Sequence, residues 1–530
     1  MASPRSIGEL RAFGRYARRL PSFLRETISP RQARERVGRA LASRESSFLA
    51  LLERGVYGNP GSPYLAMLGA AGIELGDVRR LVGEQGLEAA LETLYEAGVH
   101  ATLDEFTGRR PLARAGQELG AGHARFDNPL LRPGWWGRSS GSSGPRRPVP
   151  LSLDLLEHDA AHEALFRTAF DLWDRRYAMW RVKPPSTSGI NNALRQAKIG
   201  CPVGAWFDPY RAPAGVEALK YRLFTTYTVR VARRHGARLA PPQACPAGEA
   251  RRVASWIAAS RHEGRRVLMD AQAGLGVQAC RAAIDQGLDI SGTVFRLTGE
   301  PLTRAKGEAV EASGSRAVPG YSMVETGRAG IACADAERFD DMHLATEKLA
   351  VLQRPTAVGS DGVEVGALLY TTLLPFTPKV MINVDTGDYA TLTRRACRCP
   401  WGELGLDLHL SGLRSYEKLT AGGNNFLGSD LYSLVEEVLP RRFGGGPTDY
   451  QLTQEEEGGV SMVSVVVRPS VGRVREPELL AAVIEFMRAD PRNRVMADFW
   501  AQNDAIRMVR REPHSTASGK TQALHVEAAE

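Results

Sequence analysis

Helical stretches alternate with short apolar runs over roughly residues 121–411 of this 530-residue chain. The helical pattern is clear in EHDAAHEALFRTAFDLW and GEARRVASWIAAS, whereas RRVLMDAQ, SGTVFRLTGEP and VGALLYTTLLP have the length and apolar content of buried strands. Such alternation is typical of layered α/β domains, in which helices cover a sheet and ligands bind at the strand ends. We therefore predict an α/β fold for this region.

The two flanking regions differ from this central pattern. Residues 1–120 place apolar residues at three- and four-residue spacing in SFLALLERGVYG, LGDVRRLVGEQG and GLEAALETLYEAG, which predicts a helical lead-in. Beyond SGLRSYEKLTAGGNNF, the alternation in DYQLTQ and VSMVSVVVRP and the amphipathic PELLAAVIEFMRAD predict a small, mobile α+β domain over residues 412–530. We expect a large N-terminal domain of residues 1–411, joined to the small domain by a glycine-rich hinge.

Composition and charge exclude several classes of protein. The net charge is +8, but the basic residues are spread along the chain without a Lys/Arg run interleaved with aromatics, so we expect no nucleic-acid partner. Six cysteines in 530 residues are too few for a disulfide-stapled scaffold. No apolar stretch has the roughly 18 to 20 residues of a membrane-spanning helix, and arginines interrupt the N-terminal segment, which predicts a soluble, cytoplasmic protein without membrane insertion.

A Ser/Gly-rich segment, WGRSSGSSGPRR, runs from Trp136 to Arg147. Its glycines allow backbone N–H groups to face an anion, its hydroxyls can donate further hydrogen bonds, and its terminal arginines supply charge, as a polyphosphate site requires. It does not match the Walker A pattern, and on composition alone it is also typical of a flexible linker. The candidate phosphate-binding residues are Ser139, Ser140, Gly141, Ser142, Ser143 and Gly144.

Four further motifs follow in order along the chain: TGEPLT, GYSMVETG, DTGDY and STASGKTQ, which begin at Thr298, Gly320, Asp385 and Ser515. With the Ser/Gly segment they resemble the ANL superfamily of adenylate-forming enzymes. That family has a fixed order of motifs along the chain: a phosphate loop, a G-x-E-P adenine segment, a Y-G-x-[ST]-E segment, a T-G-D ribose segment, a hinge and a C-terminal S-G-K lysine. Each motif is short, so the resemblance depends on their joint order.

Two finer matches suggest the phenylacetate-CoA ligase-like branch of that family. GGNNFLGSDLYSLVEEVL resembles the stretch that follows the hinge in this branch, and CRCPWG resembles its C-x-C-G segment. The resemblance covers residues 120–525 and only loosely the first 120.

The resemblance implies a role for each matching residue. Glu325 would hold Mg²⁺ on the ATP phosphates, Arg147 would end the phosphate loop, and Asp388 would accept hydrogen bonds from the ribose. Alternatively, Glu325 is a surface carboxylate and Asp388 an Asx-turn residue. The implied nucleotide-binding residues, besides the Ser/Gly segment, are Gly299, Glu300, Pro301, Tyr321, Ser322, Asp388 and Arg414.

Lys520 is the implied catalytic lysine, and it is the only lysine after Lys418 in a chain that otherwise favours arginine. When a carboxylate attacks the α-phosphorus of ATP, a mobile positive charge stabilises the transition state without acid–base chemistry. The alternative is a solvated lysine near a frayed C-terminus.

This sequence departs from the family pattern at several positions. Arg147 stands where the family usually has lysine, Val324 replaces a hydroxyl residue, and Asp385 replaces the arginine common before T-G-D. The junction reads G-L-R-S-Y in place of G-R-x-D. These departures leave open how active the chain is and which acid it takes.

The function implied by the resemblance is ATP-dependent, AMP-forming activation of a small carboxylic acid, followed by transfer to a thiol, with coenzyme A as the expected co-substrate. One alternative keeps adenylation but transfers to a carrier protein, a protein side chain or an amine. A second alternative, suggested by Val324 and Asp385, is a nucleotide-binding protein without catalytic activity.

Two further sites are expected. Three thiols and one imidazole, at Cys333, His343, Cys397 and Cys399, suit a structural zinc ion, although loosely spaced cysteines are equally often packing residues. The acid pocket is expected within residues 179–209 and near Gly274 to Gly276, where Trp180, Trp206 and Phe207 could line an apolar slot or belong to the core.

Overall fold

The computed structural model describes residues 4–114, 116–120, 122–138, 147–210, 215–358, 363–416, 420–421, 424–425, 431–457, 460–490, 493–503, 505–516 and 519–526. Among the helices in these ranges, none combines the length and the apolar character needed to cross a membrane.

The N-terminal region is helical up to Thr107 and then forms a hairpin. Helix ends follow local chemistry: Ser29 and Gln32 cap each other's backbone N–H groups at the start of the second helix. The hairpin strands β1 (Leu112–Arg114) and β2 (Gln117–Gly120) were not anticipated in the helical lead-in. The helices are α1 (Pro4–Arg25), α2 (Pro30–Ala42), α3 (Arg44–Leu52), α4 (Pro63–Ala70), α5 (Leu75–Gln85), α6 (Leu87–Glu96) and α7 (Leu103–Thr107).

A twelve-stranded sheet dominates the structure, and its first half is parallel. The parallel strands lie in the order β7, β6, β5, β8, β9, β10, which places all their carboxyl ends at one edge. They are β5 (Arg176–Trp180), β6 (Val203–Asp208), β7 (Pro242–Ala244), β8 (Val267–Gln272), β9 (Val294–Thr298) and β10 (Arg316–Met323), preceded by the ribbon β3 (Trp135–Arg138) and β4 (Pro148–Leu151). The associated helices are α8 (Leu153–Ala169), α9 (Thr187–Lys198), α10 (Val216–Arg234), α11 (Ala250–His262), α12 (Ala273–Asp285) and α13 (Arg304–Glu311).

The second half of the sheet is antiparallel and continues from β10. The N-terminal helices cover part of it, since Phe48 and Leu94 share a hydrophobic core with Leu349 and Tyr370. The strands are β11 (Gly327–Ala332), β12 (Met342–Leu344), β13 (Leu349–Val358), β14 (Val363–Thr372), β15 (Val384–Arg394) and β16 (Leu408–Ser415). The predicted α/β fold class is thus confirmed.

The C-terminal region has its own four-stranded sheet, in the order β21, β20, β19, β22. One hydrophobic core cluster is built from residues between Leu431 and Leu524 only. Strand β16 crosses the expected domain boundary at residue 411 and stays paired with β15 as far as Ser415. The C-terminal elements are β17 (Thr420–Ala421), β18 (Asn424–Asn425), α14 (Leu431–Ser433), α15 (Leu439–Phe443), β19 (Tyr450–Glu457), β20 (Val460–Val467), α16 (Glu476–Ala489), α17 (Arg494–Asn503), β21 (Ile506–Arg510) and β22 (Leu524–Val526).

Candidate active site

A cavity of about 410 Å³ lies where the carboxyl ends of the parallel strands meet the C-terminal region. This is the edge at which α/β sheets usually bind ligands, because loops from several strands converge there. Its wall contains every described residue assigned above to nucleotide binding or catalysis: Arg147, Gly299, Glu300, Pro301, Tyr321, Ser322, Glu325, Asp388, Arg414 and Lys520. The Ser/Gly residues from Ser139 to Gly144 lie outside the described residues.

Tyr321 and Asp388 form a half-buried pair on one side of the cavity. The Tyr321 hydroxyl donates a 2.6 Å hydrogen bond to Asp388 Oδ2 across two different strands, β10 and β15. Burial and the Asp388 charge raise the pKa of Tyr321 well above its usual value, so the hydroxyl keeps its proton and acts as the donor. Asp388 is therefore presented as an oriented acceptor at the cavity wall.

Asp385, the departure from the family pattern, shapes the turn that carries Asp388. Its Oδ1 accepts a 2.8 Å hydrogen bond from the N–H of Gly387, which has a positive φ of 81°, and its Oδ2 accepts one from the Tyr416 hydroxyl. Burial raises the pKa of Asp385. An acidic residue at this position thus stabilises the turn from within.

Glu300 links the large sheet to the loop that carries Lys520. Its carboxylate accepts hydrogen bonds from the N–H groups of Gly274, at 3.1 Å, and Thr521, at 3.2 Å. The Lys520 side chain lies against the same loop, because a Cβ added at Gly299 would come within 3.3 Å of Lys520 Cε. The C-terminal lysine is therefore inserted into the cavity between these residues.

Additional contacts hold the C-terminal region on the large sheet. Glu436 accepts a hydrogen bond from the Thr303 hydroxyl through Oε2, and its Oε1 forms an ion pair with Lys306 Nζ at 2.7 Å. The Arg414 guanidinium lies 5.2 Å from the centre of the Tyr432 ring, a cation–π contact. These side chains are buried or half-buried, so the contacts exclude water from the junction beside the cavity.

Glu325 follows β10 and faces His123 and Arg147. Burial opposes its ionisation, but the neighbouring His123 imidazole outweighs burial, and the pKa of Glu325 is lowered. His123 Nε2 lies 3.7 Å from Glu325 Oε1. Burial and the charge of nearby Arg109 lower the pKa of Arg147, whereas Glu325 raises it. One ionised carboxylate thus stands next to a cationic group, an arrangement that suits a metal-bound phosphate chain.

The four predicted zinc ligands converge outside the cavity. Their ligand atoms all lie within 4.8 Å of one another. Cys399 Sγ lies 3.0 Å from His343 Nε2 and 3.3 Å from Cys397 Sγ, and Cys333 Sγ lies 3.8 Å from Cys397 Sγ. The 2.7 Å contact between His343 Nδ1 and the Leu406 carbonyl fits Nδ1–H as donor, with Nε2 facing the sulfurs.

Sequence reasoning missed a layer of arginines that forms part of the cavity wall. Four arginines from four different elements line the cavity. Arg181 lies at the end of β5, Arg195 in α9, Arg296 in β9 and Arg328 in β11. They are dispersed over nearly 150 positions without a shared motif, so no local pattern could have found them.

The aromatic slot expected in residues 179–209 is not part of the cavity. Trp180, Trp206 and Phe207 are buried at 0%, 1% and 4% exposure in the hydrophobic core and are absent from the cavity wall. Gly274 and Gly276 are also buried in α12. The same segment contributes polar residues to the wall instead, including Ser186, Asn192 and Arg195.

No protein-family model and no curated protein sequence matches this chain. Among solved structures, 2-hydroxyisobutyryl-CoA ligase with 2-HIB-AMP and CoA is similar at 13% identity and a TM-score of 0.46, covering 92% of this chain and 90% of that chain. ATP-bound MatB from Rhodopseudomonas palustris is similar at 12% identity and a TM-score of 0.44, covering 77% and 71%.

Another similar structure comes from work on fatty acyl-adenylate ligases from E. coli and L. pneumophila, at 12% identity and a TM-score of 0.41, covering 75% of this chain and 69% of that chain.

Proposed function

We propose that this chain activates a carboxylic acid with ATP, forming an acyl-adenylate and pyrophosphate, and then transfers the acyl group to the thiol of coenzyme A. The observation that carries the proposal is the position of Lys520. This lysine belongs to the C-terminal region, yet it lines one cavity with the half-buried Tyr321–Asp388 pair of the large sheet.

The nucleotide would be bound by groups on two sides of the cavity. Tyr321 and the backbone of Gly299 to Pro301 would flank the adenine, and Asp388 would accept hydrogen bonds from the ribose hydroxyls. A carboxylate has about four acceptor positions, and the Tyr321 hydroxyl uses one of them while fixing the orientation of the group. Arg414, on the strand beside Asp388, would contribute positive charge near the phosphates.

Lys520 would act during formation of the acyl-adenylate. The acid oxygen attacks the α-phosphorus while the bond to pyrophosphate breaks, so negative charge builds up on the phosphate oxygens. A lysine ammonium beside these oxygens stabilises that charge, and no proton transfer is required. Glu300 would hold the loop in this position through the Thr521 N–H.

Glu325 is the residue that fits a magnesium ion. Mg²⁺ in nucleotide sites is commonly bound by one or two carboxylates together with the phosphates, and Glu325 is an ionised carboxylate on the cavity wall. When bound, Mg²⁺ neutralises phosphate charge and orients the phosphate chain. Arg147, on the same side, would hold a phosphate oxygen through its guanidinium.

Transfer of the acyl group requires room for the thiol. The large region 1–411 and the small region 412–530 would separate at the junction near Arg414, which would withdraw Lys520 from the cavity. This movement would break the contact of Glu300 with Thr521 and the contacts of Glu436 with Thr303 and Lys306. A carrier protein, a protein side chain or an amine remains the alternative acceptor.

We further propose that Cys333, His343, Cys397 and Cys399 bind a structural zinc ion. A tetrahedral site with Zn–S of about 2.3 Å and Zn–N of about 2.0 Å requires ligand atoms roughly 3.5 to 3.8 Å apart. Four of the six separations are 3.0 to 3.8 Å, close to this requirement, and all six lie within 4.8 Å. The Leu406 carbonyl would fix the histidine tautomer in the manner usual for metal-bound imidazoles.

Acid-dependent exchange of labelled pyrophosphate into ATP tests adenylation directly. With a panel of small carboxylic acids, at least one acid should stimulate exchange in the presence of Mg²⁺. Nucleotide binding without exchange for any acid would favour the alternative of a binding protein. Adding coenzyme A, a phosphopantetheinylated carrier protein or an amine to the active acid then identifies the acceptor by the product formed.

A further inference from the structure

Four of the arginines on the cavity wall, Arg181, Arg195, Arg296 and Arg328, form what we name the arginine floor of the cavity. Their side chains are 3–9% exposed, whereas the carboxylates that pair with them are 0–2% exposed. The cations are thus slightly more exposed than their carboxylate partners, of which Asp270 also lines the cavity whereas Asp159 and Glu163 do not.

The carboxylates that pair with the floor are each shared among several cations. Asp270 accepts from Arg181 at 2.5 Å and from Arg296 at 2.6 Å, and Glu163 accepts from Arg296 at 2.6 Å and also from Arg328. In the same way, Asp159 accepts from Arg195 at 3.0 Å and from Lys348 at 2.7 Å.

The charges in this cluster do not balance. Three carboxylates, of Asp159, Glu163 and Asp270, face six cations, which are Arg167, Arg181, Arg195, Arg296, Arg328 and Lys348. The neighbouring Glu347 is held by His158 and His162, and counting it still leaves the cations in excess. Each cation has a carboxylate partner, but the carboxylates are shared, so the buried positive charge is incompletely neutralised and the cluster favours an added anion.

The electrostatics of Arg328 show the same excess. Burial and the charges of Arg296 and Arg195 outweigh the attraction of Glu163 and lower the pKa of Arg328 to about 10. Among the hydrogen bonds of the described residues, its guanidinium uses only Nη2, which donates to Glu163. Arg195 also has unused capacity, because its buried Nε has no hydrogen-bond partner there.

The floor lies next to the place where the acid would react. Arg181 Nη2 donates a 2.6 Å hydrogen bond to Thr298 Oγ1, and Thr298 precedes Gly299, which lies beside Lys520. Arg328 is paired in register with Ser322, the residue after Tyr321. An acid that places its carboxylate near Lys520 therefore has the arginine floor within the same cavity for the rest of its chain.

We infer that the acid carries a second anionic group, in the simplest case a second carboxylate, that is bound by Arg195 and Arg328. This inference rests on the proposed function. A purely apolar acyl chain would displace water from the guanidinium groups without replacing its hydrogen bonds, whereas an anionic end would pair with them bidentately.

Calorimetric titration tests this without requiring turnover. Unbranched dicarboxylic acids of increasing length, and monocarboxylic acids of matched length, are titrated into the full chain with and without α,β-methylene-ATP. Wild type should bind one dicarboxylate at least about tenfold more tightly than its monocarboxylate match. Arg195→Gln and Arg328→Gln should each weaken that dicarboxylate about 10- to 100-fold and the monocarboxylate less than about threefold, since a charge-assisted pair is lost.

Arg167→Gln is the matched control, because Arg167 carries the same charge in the same cluster but is fully buried and does not line the cavity. It should reduce thermal stability without changing the dicarboxylate-to-monocarboxylate ratio. Equal weakening of both acid classes in Arg195→Gln would place the arginine at the reacting carboxylate and overturn the inference.

The same acids in the pyrophosphate-exchange assay separate this inference from the proposed function. Arginine-dependent dicarboxylate binding without exchange would support the anion site and refute adenylation. Exchange with monocarboxylates alone, with no arginine-dependent dicarboxylate binding, would refute the anion site and leave adenylation standing. Absence of both binding and exchange would refute both.

Discussion

Replacing Asp388 with alanine should selectively weaken recognition of the ribose. The structure places this carboxylate on the cavity wall and orients it through the 2.6 Å hydrogen bond from Tyr321. A hydrogen bond to a charged group contributes roughly 1.5–3 kcal/mol, which corresponds to a change of about 10- to 150-fold in binding. We expect Asp388→Ala to raise the KM for ATP by a factor in this range.

The assay is pyrophosphate exchange with ATP, 2′-deoxy-ATP and 3′-deoxy-ATP as nucleotides. Wild type should discriminate against at least one deoxy analogue, and Asp388→Ala should lose most of that discrimination because the acceptor is gone. Tyr321→Phe is the matched control: it removes the orienting hydroxyl, costs about 1 kcal/mol, and leaves the carboxylate and the discrimination in place. If Asp388→Ala discriminated as wild type does, Asp388 would be a turn residue only.

Two other predictions concern the zinc cluster and the buried histidines. Gly402→Ala should abolish zinc binding as measured by metal analysis, since the added Cβ would lie 2.3 Å from the Cys397 carbonyl oxygen. The control Gly38→Ala, whose added Cβ has its nearest contact at 3.6 Å, should retain one zinc per chain. Full zinc in both variants would contradict the cluster's role. Burial lowers the pKa of His162 to about 4 from 6.5, so the unfolded chain binds more protons between these values and the free energy of unfolding should fall as the pH drops from about 6.5 to 4. This contribution is at most roughly 3 kcal/mol. In urea unfolding, the free energy of unfolding should differ less between pH 7 and pH 4.5 for His162→Gln than for wild type. Equal differences would mean that His162 does not contribute.

The features that local sequence pattern could predict are the ones that depend on neighbouring residues. The α/β alternation predicted the fold class, because strands such as Val267–Gln272 are short, mostly apolar and followed by helices. The motifs around Glu300, Tyr321 and Asp388 are also short and continuous along the chain, so the family resemblance that they carry implied a shared site.

Features that depend on which face of an element meets the cavity could not be predicted in this way. Strands covered on both faces are apolar throughout, so the sequence does not tell which aromatic side chains turn towards a cavity and which towards the core. Trp180 and Trp206 turn to the core, and their indole N–H groups donate to the carbonyls of Cys245 and Arg181. The arginine floor was missed for the complementary reason, because its members come together only when four elements pack.

The central claim, that the C-terminal lysine catalyses adenylation from a mobile region, is tested most directly by separating the two half-reactions in Lys520→Ala. Pyrophosphate exchange should fall about 10²- to 10³-fold, because a charge aimed at the transition state is lost, while conversion of supplied acyl-adenylate to the thioester should continue at close to the wild-type rate. The matched control is Lys220→Ala, which should leave both half-reactions unchanged. Lys220 is exposed, pairs with Glu9 and is distant in sequence from the loop that carries Lys520. A Lys520→Ala variant that kept more than about half of the wild-type exchange, against the loss expected for such a charge, would contradict the assignment.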